Sequence, residues 1–329
     1  MTDDILADYA ALTPDRVITA VESTGLWSDA RVLALNSYEN RVYQVGVEEA
    51  LPVIAKFYRP HRWSDEAIAE ELAFTAELAA ADLPVVAPLP GADGAWLHRD
   101  GPYRFALFPR KGGQAPEPGD LDQLHRIGML LGRCHAVGRR TPFRHRAALT
   151  VERFLDEPAD RILSGDWLSS ALAPRYRAII TVLRERIAAL GLDDFAVLRT
   201  HGDCHPGNIL WTRDDGPWLV DFDDCQTAPA VQDLWMLLSG PRHEQELQLA
   251  ELLDGYRMFT DFDPRELALV EALRSLRMIH YAGWLAARWA DPAFPRYFPW
   301  FNTAAYWQAH VQELEEQVPM LDAGPLRLL

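Results

Sequence analysis

The sequence predicts an α+β protein of two lobes, a small sheet-rich lobe over residues 1–110 and a larger, mainly helical lobe over residues 111–329. Three observations predict it. Short runs of β-formers crowd the first part of the chain, a Gly/Pro segment follows, and long segments with helical apolar spacing fill the rest. The 329 residues, 49% of them hydrophobic and with 11 Trp, suffice for two substantial cores.

The elements follow in order. Thr13-Pro14-Asp15 starts a helix with a hydroxyl cap, a first-turn Pro and an acid at the positive dipole end, and Gly25 stops it. Residues 32–47 read as two strands interrupted by the turn formers Asn36-Ser37-Tyr38-Glu39-Asn40. Residues 52–58 give a third strand. Ser64-Asp65-Glu66 caps a helix reaching about Ala81, and two strands are expected around Gly94–His98 and Tyr103–Phe108. Residues 112–119, Gly-Gly-Gln-Ala-Pro-Glu-Pro-Gly, form the linker. Helices are expected over 121–137, 168–190, 232–238, 244–259, 264–288 and 303–317, with strands and turns only over 196–223.

A net charge of −16 repels nucleic acid, and the short basic run of Arg139, Arg140, Arg144 and Arg146 reads as a solvated loop. The three cysteines, Cys134, Cys204 and Cys225, lack the number and spacing of a disulfide framework. The acidic N-terminus has no basic and apolar leader, and no apolar run would span a bilayer. A cytoplasmic protein engaging neither nucleic acid nor membrane is the expectation, with a monomer as the default.

The chemistry concentrates at His201-Gly202-Asp203-Cys204-His205-Pro206-Gly207-Asn208. Apolar residues 209–211, a polar turn and apolar residues 218–220 then lead to Asp221-Phe222-Asp223-Asp224, the pattern of a β-hairpin. Such a hairpin brings Asn208, at the start of one strand, close to Asp221, at the end of the other. Two oxygen ligands then face one point, as a hard cation such as magnesium requires. Asp203 precedes Asn208 by the spacing of the catalytic loop of protein kinases. Asp203 is therefore the candidate base, Asn208 and Asp221 are the candidate Mg2+ ligands, and ATP is the candidate co-substrate. His201, Asp203, Cys204 and His205 are also zinc-type ligands, but they lie too close together for one tetrahedral site and no second ligand group is evident.

Lys56, in the middle of an apolar strand, needs a partner. Glu70 and Glu71 are both available on the following helix; Glu71 is preferred, since Phe74 and Leu78 follow it at helical spacings to dock the helix. There is no Gly-rich nucleotide loop, and Asn36–Asn40, with the Ser37 hydroxyl, takes that position as an alternative to an ordinary hairpin turn. Residues 105–109 are placed to give backbone groups to an adenine.

These motifs resemble the aminoglycoside phosphotransferase/choline kinase superfamily, and within it the bacterial stress response kinase A group. The latter likeness lies in residues 35–44, Lys56-Phe57-Tyr58-Arg59-Pro60, residues 201–205 and Ala290-Asp291-Pro292-Ala293-Phe294-Pro295, which are spread over nearly the whole chain. The resemblance implies a protein-kinase-like fold, ATP, magnesium, and Ser/Thr phosphorylation of proteins in stress survival. By position it implies Asp203 as proton acceptor, Asn208 and Asp221 as metal ligands with Asp221 also catalytic, and Ser37 as an ATP-site residue and candidate autophosphorylation site. Two departures stand out: Asp223 occupies the position of the Gly in Asp-Phe-Gly, and the segment after Asp221 is too short for an extended activation loop. Asp233 is expected to brace the catalytic loop. The C-terminal aromatics read as helix packing rather than a choline cage. A small-molecule kinase acting on an amino alcohol, homoserine or an aminoglycoside shares the same catalytic residues and stays open, as does a nucleotide-binding adaptor without turnover.

Overall fold

The computed structural model describes Tyr9 and residues 11–328. Helix α1 (Pro14–Glu22) starts where the Thr13 side chain accepts from the Arg16 N–H. Strands β1 (Ser28–Ala34), β2 (Arg41–Val47) and β3 (Val53–Phe57) follow, then helix α2 (Asp65–Ala80), capped by Ser64, and strands β4 (His98–Asp100) and β5 (Tyr103–Pro109). The five strands form one antiparallel sheet in the order β1-β2-β3-β5-β4. Successive residues of a strand face opposite sides. Ala55 and Phe57 therefore pack with Val17 and Val21 of α1, while Lys56 between them faces α2.

The second lobe begins with α3 (Leu121–Gly138). A π-turn over Glu152–Asp156 runs into α4 (Glu157–Ser164), followed by α5 (Leu172–Ala189). Short strands come next: β6 (Leu198–Thr200), the hairpin β7 (Ile209–Thr212) and β8 (Gly216–Leu219), and β9 (Gln226–Ala228), which pairs with β6. Helices α6 (Arg242–Arg257), α7 (Val270–Arg288), α8 (Ala293–Tyr297) and α9 (Ala304–Asp322) complete the chain. Gly128 and Gly132 of α3 and Gly255 of α6 let these two helices touch backbone to backbone, since a Cβ at any of them would strike the carbonyl of Leu252, Tyr256 or His125. That approach carries the Tyr256 hydroxyl to His135, whose other ring nitrogen reaches Asp233. None of the described helices is long and apolar enough to cross a membrane.

The expected two-lobed α+β architecture is present, with local differences. The strand expected around Gly94–His98 lies at His98–Asp100, opposite Tyr103–Phe105. The helix expected over 168–190 starts at Leu172, and the one over 264–288 opens as a 3-10 turn, Pro264–Leu269. Residues 152–164 are helical, which their sequence does not announce. Their apolar spacing is disturbed by the extra residue of the π-turn, and Pro158, which reads as a breaker, sits in the first turn of α4, where it is tolerated. Residues 232–238, expected as a helix, form two 3-10 turns, Ala230–Asp233 and Trp235–Leu237. The Val231 N–H is held by the Glu266 carboxylate at 2.8 Å and the Asp233 side chain is drawn to residues 201–202, so the segment cannot wind on.

Burial pushes the Glu266 carboxyl up to about 7, with the Val231 N–H pulling the other way. A carboxyl whose pKa is raised in the folded state holds more protons folded than unfolded, so stability should fall as pH rises from about 4.5 towards 7. Glu266→Gln, which keeps an acceptor for Val231, should flatten this slope and leave the variant about 1–2 kcal/mol more stable than the parent at pH 8. Urea unfolding midpoints at pH 5 and pH 8 check it; parallel pH dependence in the two proteins would refute it.

Candidate active site

The hairpin forms with Ile209 opposite Leu219, and the Val220 N–H donates to Asn208 O at 3.0 Å. Asn208 and Asp221 thus flank its open end. The hairpin is pinned from both sides: Gln114, in the expected linker, exchanges backbone hydrogen bonds with Trp211, and residues 84–86 do so with Leu219. Asp221 adopts φ 59° and ψ 69°, a left-handed conformation that Asp tolerates better than most residues. This turn leaves its side chain 54% exposed toward a cleft of about 710 Å³ between the lobes.

The Asn208 Nδ2 donates to Asp203 O at 2.9 Å, which fixes the amide and leaves its Oδ1 for the cleft. The Asp203 carboxylate pairs with Arg277 of α7 and lies 3.4 Å from His205 Nε2. Burial works to raise Asp203, but His205 and Arg277 outweigh it and hold the carboxyl below its ordinary range. Gly202, at φ +84°, packs so closely on Asp224 that a Cβ would strike its carbonyl oxygen. The Asp233 carboxylate lies beneath this loop, as expected. It accepts from the His201 N–H at 2.7 Å and the Gly202 N–H at 2.8 Å, and it stands 2.9 Å from His135 Nε2. His201 braces the far side, with Nε2 2.9 Å from Val220 O. The histidines of the motif thus orient backbone. Among the described residues no group of three or more His, Cys, Asp or Glu side chains forms a metal cluster, and the three cysteines are buried thiols.

On the opposite wall, Lys56 Nζ lies 3.1 Å from Glu71 Oε1, 3.1 Å from Asp221 Oδ1 and 3.3 Å from Asp223 Oδ1. Burial opposes the ammonium charge, but Asp223, Glu71 and Asp221 outweigh it and hold the Lys56 pKa well above its usual value. The lysine therefore links the two lobes. Glu70 does something different: its carboxylate accepts the N–H groups of Arg144, His145 and Arg146 at 2.7, 2.7 and 2.9 Å, docking α2 on the second lobe. Phe108, Pro109 and Lys111 line the same cleft where the adenine was expected.

Asn36–Asn40 lines the cleft and is tied down by its own side chains. The Ser37 hydroxyl donates to Asn40 O at 2.9 Å, within its own turn. Tyr38 packs edge-on against Phe298 at 4.8 Å and near Tyr297 at 5.3 Å, filling the space of the supposed choline cage. Glu39 accepts from Trp284 Nε1 at 2.6 Å and pairs with Arg59 and Arg288. Asp291 pairs with Arg41 and Arg59 of the first lobe.

Several contributors escaped the sequence reading. Asp223, noted only as a departure from Gly, is buried between Lys56, Arg62 and Asn40, which donates to it at 3.1 Å. Arg146, expected in a solvated loop, is a correction: it is buried, donates to Cys225 O at 2.8 Å, and packs over Trp63, while Arg139, Arg140 and Arg144 are exposed. A single apolar neighbour pattern does not distinguish these four arginines. Arg277 had a readable signal, since Arg274, Arg277 and His280 form a basic stripe at i, i+3, i+6 on helix α7.

The model of the "Phosphotransferase enzyme family" matches residues 31–270. Stress response kinase A of Escherichia coli K12 is 41% identical over 320 residues, 97% of each chain. The chain belongs to the phosphotransferase enzyme family. Another relative of this phosphotransferase, the serine/threonine protein kinase RdoA of Salmonella typhimurium, is 40% identical over 97% of each chain. Among solved structures, amicoumacin kinase in complex with AMP-PNP, Ca2+ and its ligand superimposes with a TM-score of 0.74 at 18% identity, covering 99% of this chain and 97% of that one. At that identity the likeness is one of fold, and it agrees with the two-lobed architecture. The phosphotransferase is thus an enzyme whose relatives are named as kinases.

Proposed function

We propose that this phosphotransferase is a cytoplasmic, Mg2+-dependent kinase that moves the γ-phosphoryl group of ATP to Ser or Thr hydroxyls of proteins in a stress response. One observation carries the reading: Asp203, Asn208, Asp221 and the Lys56–Glu71 pair, far apart in sequence, line a single cleft. Residues 1–110 are the nucleotide-holding lobe and residues 111–329 the lobe that presents the base. Lys56, oriented by Glu71, binds the α- and β-phosphates, and the Asn36–Asn40 loop with Ser37 covers them. The acceptor hydroxyl approaches Asp203. Its oxygen forms a bond to the γ-phosphorus as the bond to the β-phosphate oxygen breaks, its proton passes to the Asp203 carboxylate, and ADP leaves.

The donor set fits magnesium. Asn208 keeps Oδ1 free by donating through Nδ2, and Asp221 keeps one oxygen beyond the Lys56 contact, so two hard oxygens would hold the ion alongside phosphates and water. Magnesium, when bound, neutralises charge on the phosphates. The relatives' names support protein as the acceptor. Incubation of the purified chain with labelled ATP, a generic protein substrate and a panel of amino alcohols tests the reading. Label on protein supports it, and label on small molecules alone would sink it.

A further inference from the structure

Resting on the kinase reading above, the further inference concerns which hydroxyl is accepted. The Arg277 guanidinium, 40% exposed, sits on the Asp203 carboxylate at the place an acceptor must reach. Asp203 is the one acid within ion-pair reach of Arg277 among the described residues. Arg153 lines the same cleft. Its Nη1 donates to Gln226 Oε1 at 3.0 Å and Ala148 O at 3.3 Å, and among the described residues no carboxylate lies within ion-pair reach of it. The His280 ring, kept neutral chiefly by burial, also lines this cleft, 4.4 Å from Phe154.

The acids of the cleft are committed elsewhere: Asp221 and Asp223 to Lys56, Asp224 to Arg62, Glu39 to Arg59 and Arg288. An acceptor carrying an amine beside its hydroxyl would therefore meet two arginines and no free carboxylate. The aromatic alternative is occupied as well, because Arg288 lies over Trp284 at 5.5 Å and Tyr281 stacks on that ring at 5.6 Å. A carboxylate beside the hydroxyl would instead take Arg277 as its partner and draw it off Asp203. Like charges at this point disfavour wrong acceptors as much as opposite charges favour right ones. A chain of net charge −16 repels acidic segments at long range, so a local pair of arginines is what such a preference needs.

We propose that Arg277, assisted by Arg153, is the specificity-determining residue that selects Ser or Thr hydroxyls flanked by acidic side chains, exchanging its contact with Asp203 for one with the acceptor's carboxylate.

The test uses the full chain with ATP and Mg2+ and two peptides identical except for Glu or Lys on either side of one Ser. The wild type should favour the acidic peptide about ten-fold in kcat/KM, with the difference shrinking at high salt. Arg277→Gln should cut the preference to about two-fold, Arg153→Gln should reduce it in part, and Arg277→Glu should reverse it. A reversed charge preference is something a merely structural arginine would not give, and any variant that fails to melt cooperatively is replaced by the Gln series. Equal labelling of both peptides by the wild type, or the same preference in Arg277→Glu, overturns the proposal while leaving a protein kinase. Label on small molecules and on neither peptide overturns the kinase reading and this proposal with it.

Discussion

Asp203→Asn should lower phosphoryl transfer by on the order of 10²–10⁴-fold while ATP still binds. The substitution keeps the size of the side chain and leaves the loop intact, because the loop is held by contacts to backbone: Asn208 Nδ2 to Asp203 O, and Asp233 to the N–H groups of residues 201 and 202. What it removes is the carboxylate proposed to take the hydroxyl proton. Arg277 loses its carboxylate, but its exposure lets water replace the partner, so the melting temperature should move little. Single-turnover transfer and nucleotide titration, measured on one preparation, check both halves. Transfer within ten-fold of the parent would remove Asp203 from the role of base.

The second large effect is on folding. Asp233→Ala should cost about 3–5 kcal/mol and abolish transfer as the loop loses its floor. The carboxylate is 1% exposed and holds the His201 N–H, the Gly202 N–H and His135 Nε2, so its removal strands buried donors that water cannot reach. Asp233→Asn should be milder, since His135 can turn its tautomer, donate from Nδ1 to Tyr256, and accept from the new amide through Nε2. Denaturant midpoints rank the three proteins. A loss below about 1 kcal/mol for the alanine variant would mean that the loop does not rest on Asp233.

The parts of this molecule that were legible in sequence share a local cause. Turn formers between apolar runs announce the β7–β8 hairpin, and a charge in a strand with period-two faces must find a partner on one side, so Lys56 and Glu71 could be paired from spacing alone. Asp233 was readable as a brace because an acid just after the hairpin has little else to do. The illegible parts depend on distant neighbours. Asp223 and Arg62 are stabilised by each other across 161 residues, and nothing near either announces it. Residues 232–238 carry a helical pattern that Glu266 and the catalytic loop override. Ser37 lines the cleft, and the contact of its hydroxyl with Asn40 O, inside its own turn, is not announced by residue type.

The contacts of Tyr38, Glu39, Arg41 and Arg59 with residues 284–298 join the beginning of the chain to its end. A ribosome makes strands β1–β3 early and Asp291, Phe294 and Phe298 later. The nascent polypeptide therefore holds Lys56, Asp203, Asn208 and Asp221 before it can fasten residues 36–40, and that wall of the cleft is secured only after residues 284–298 have been synthesised.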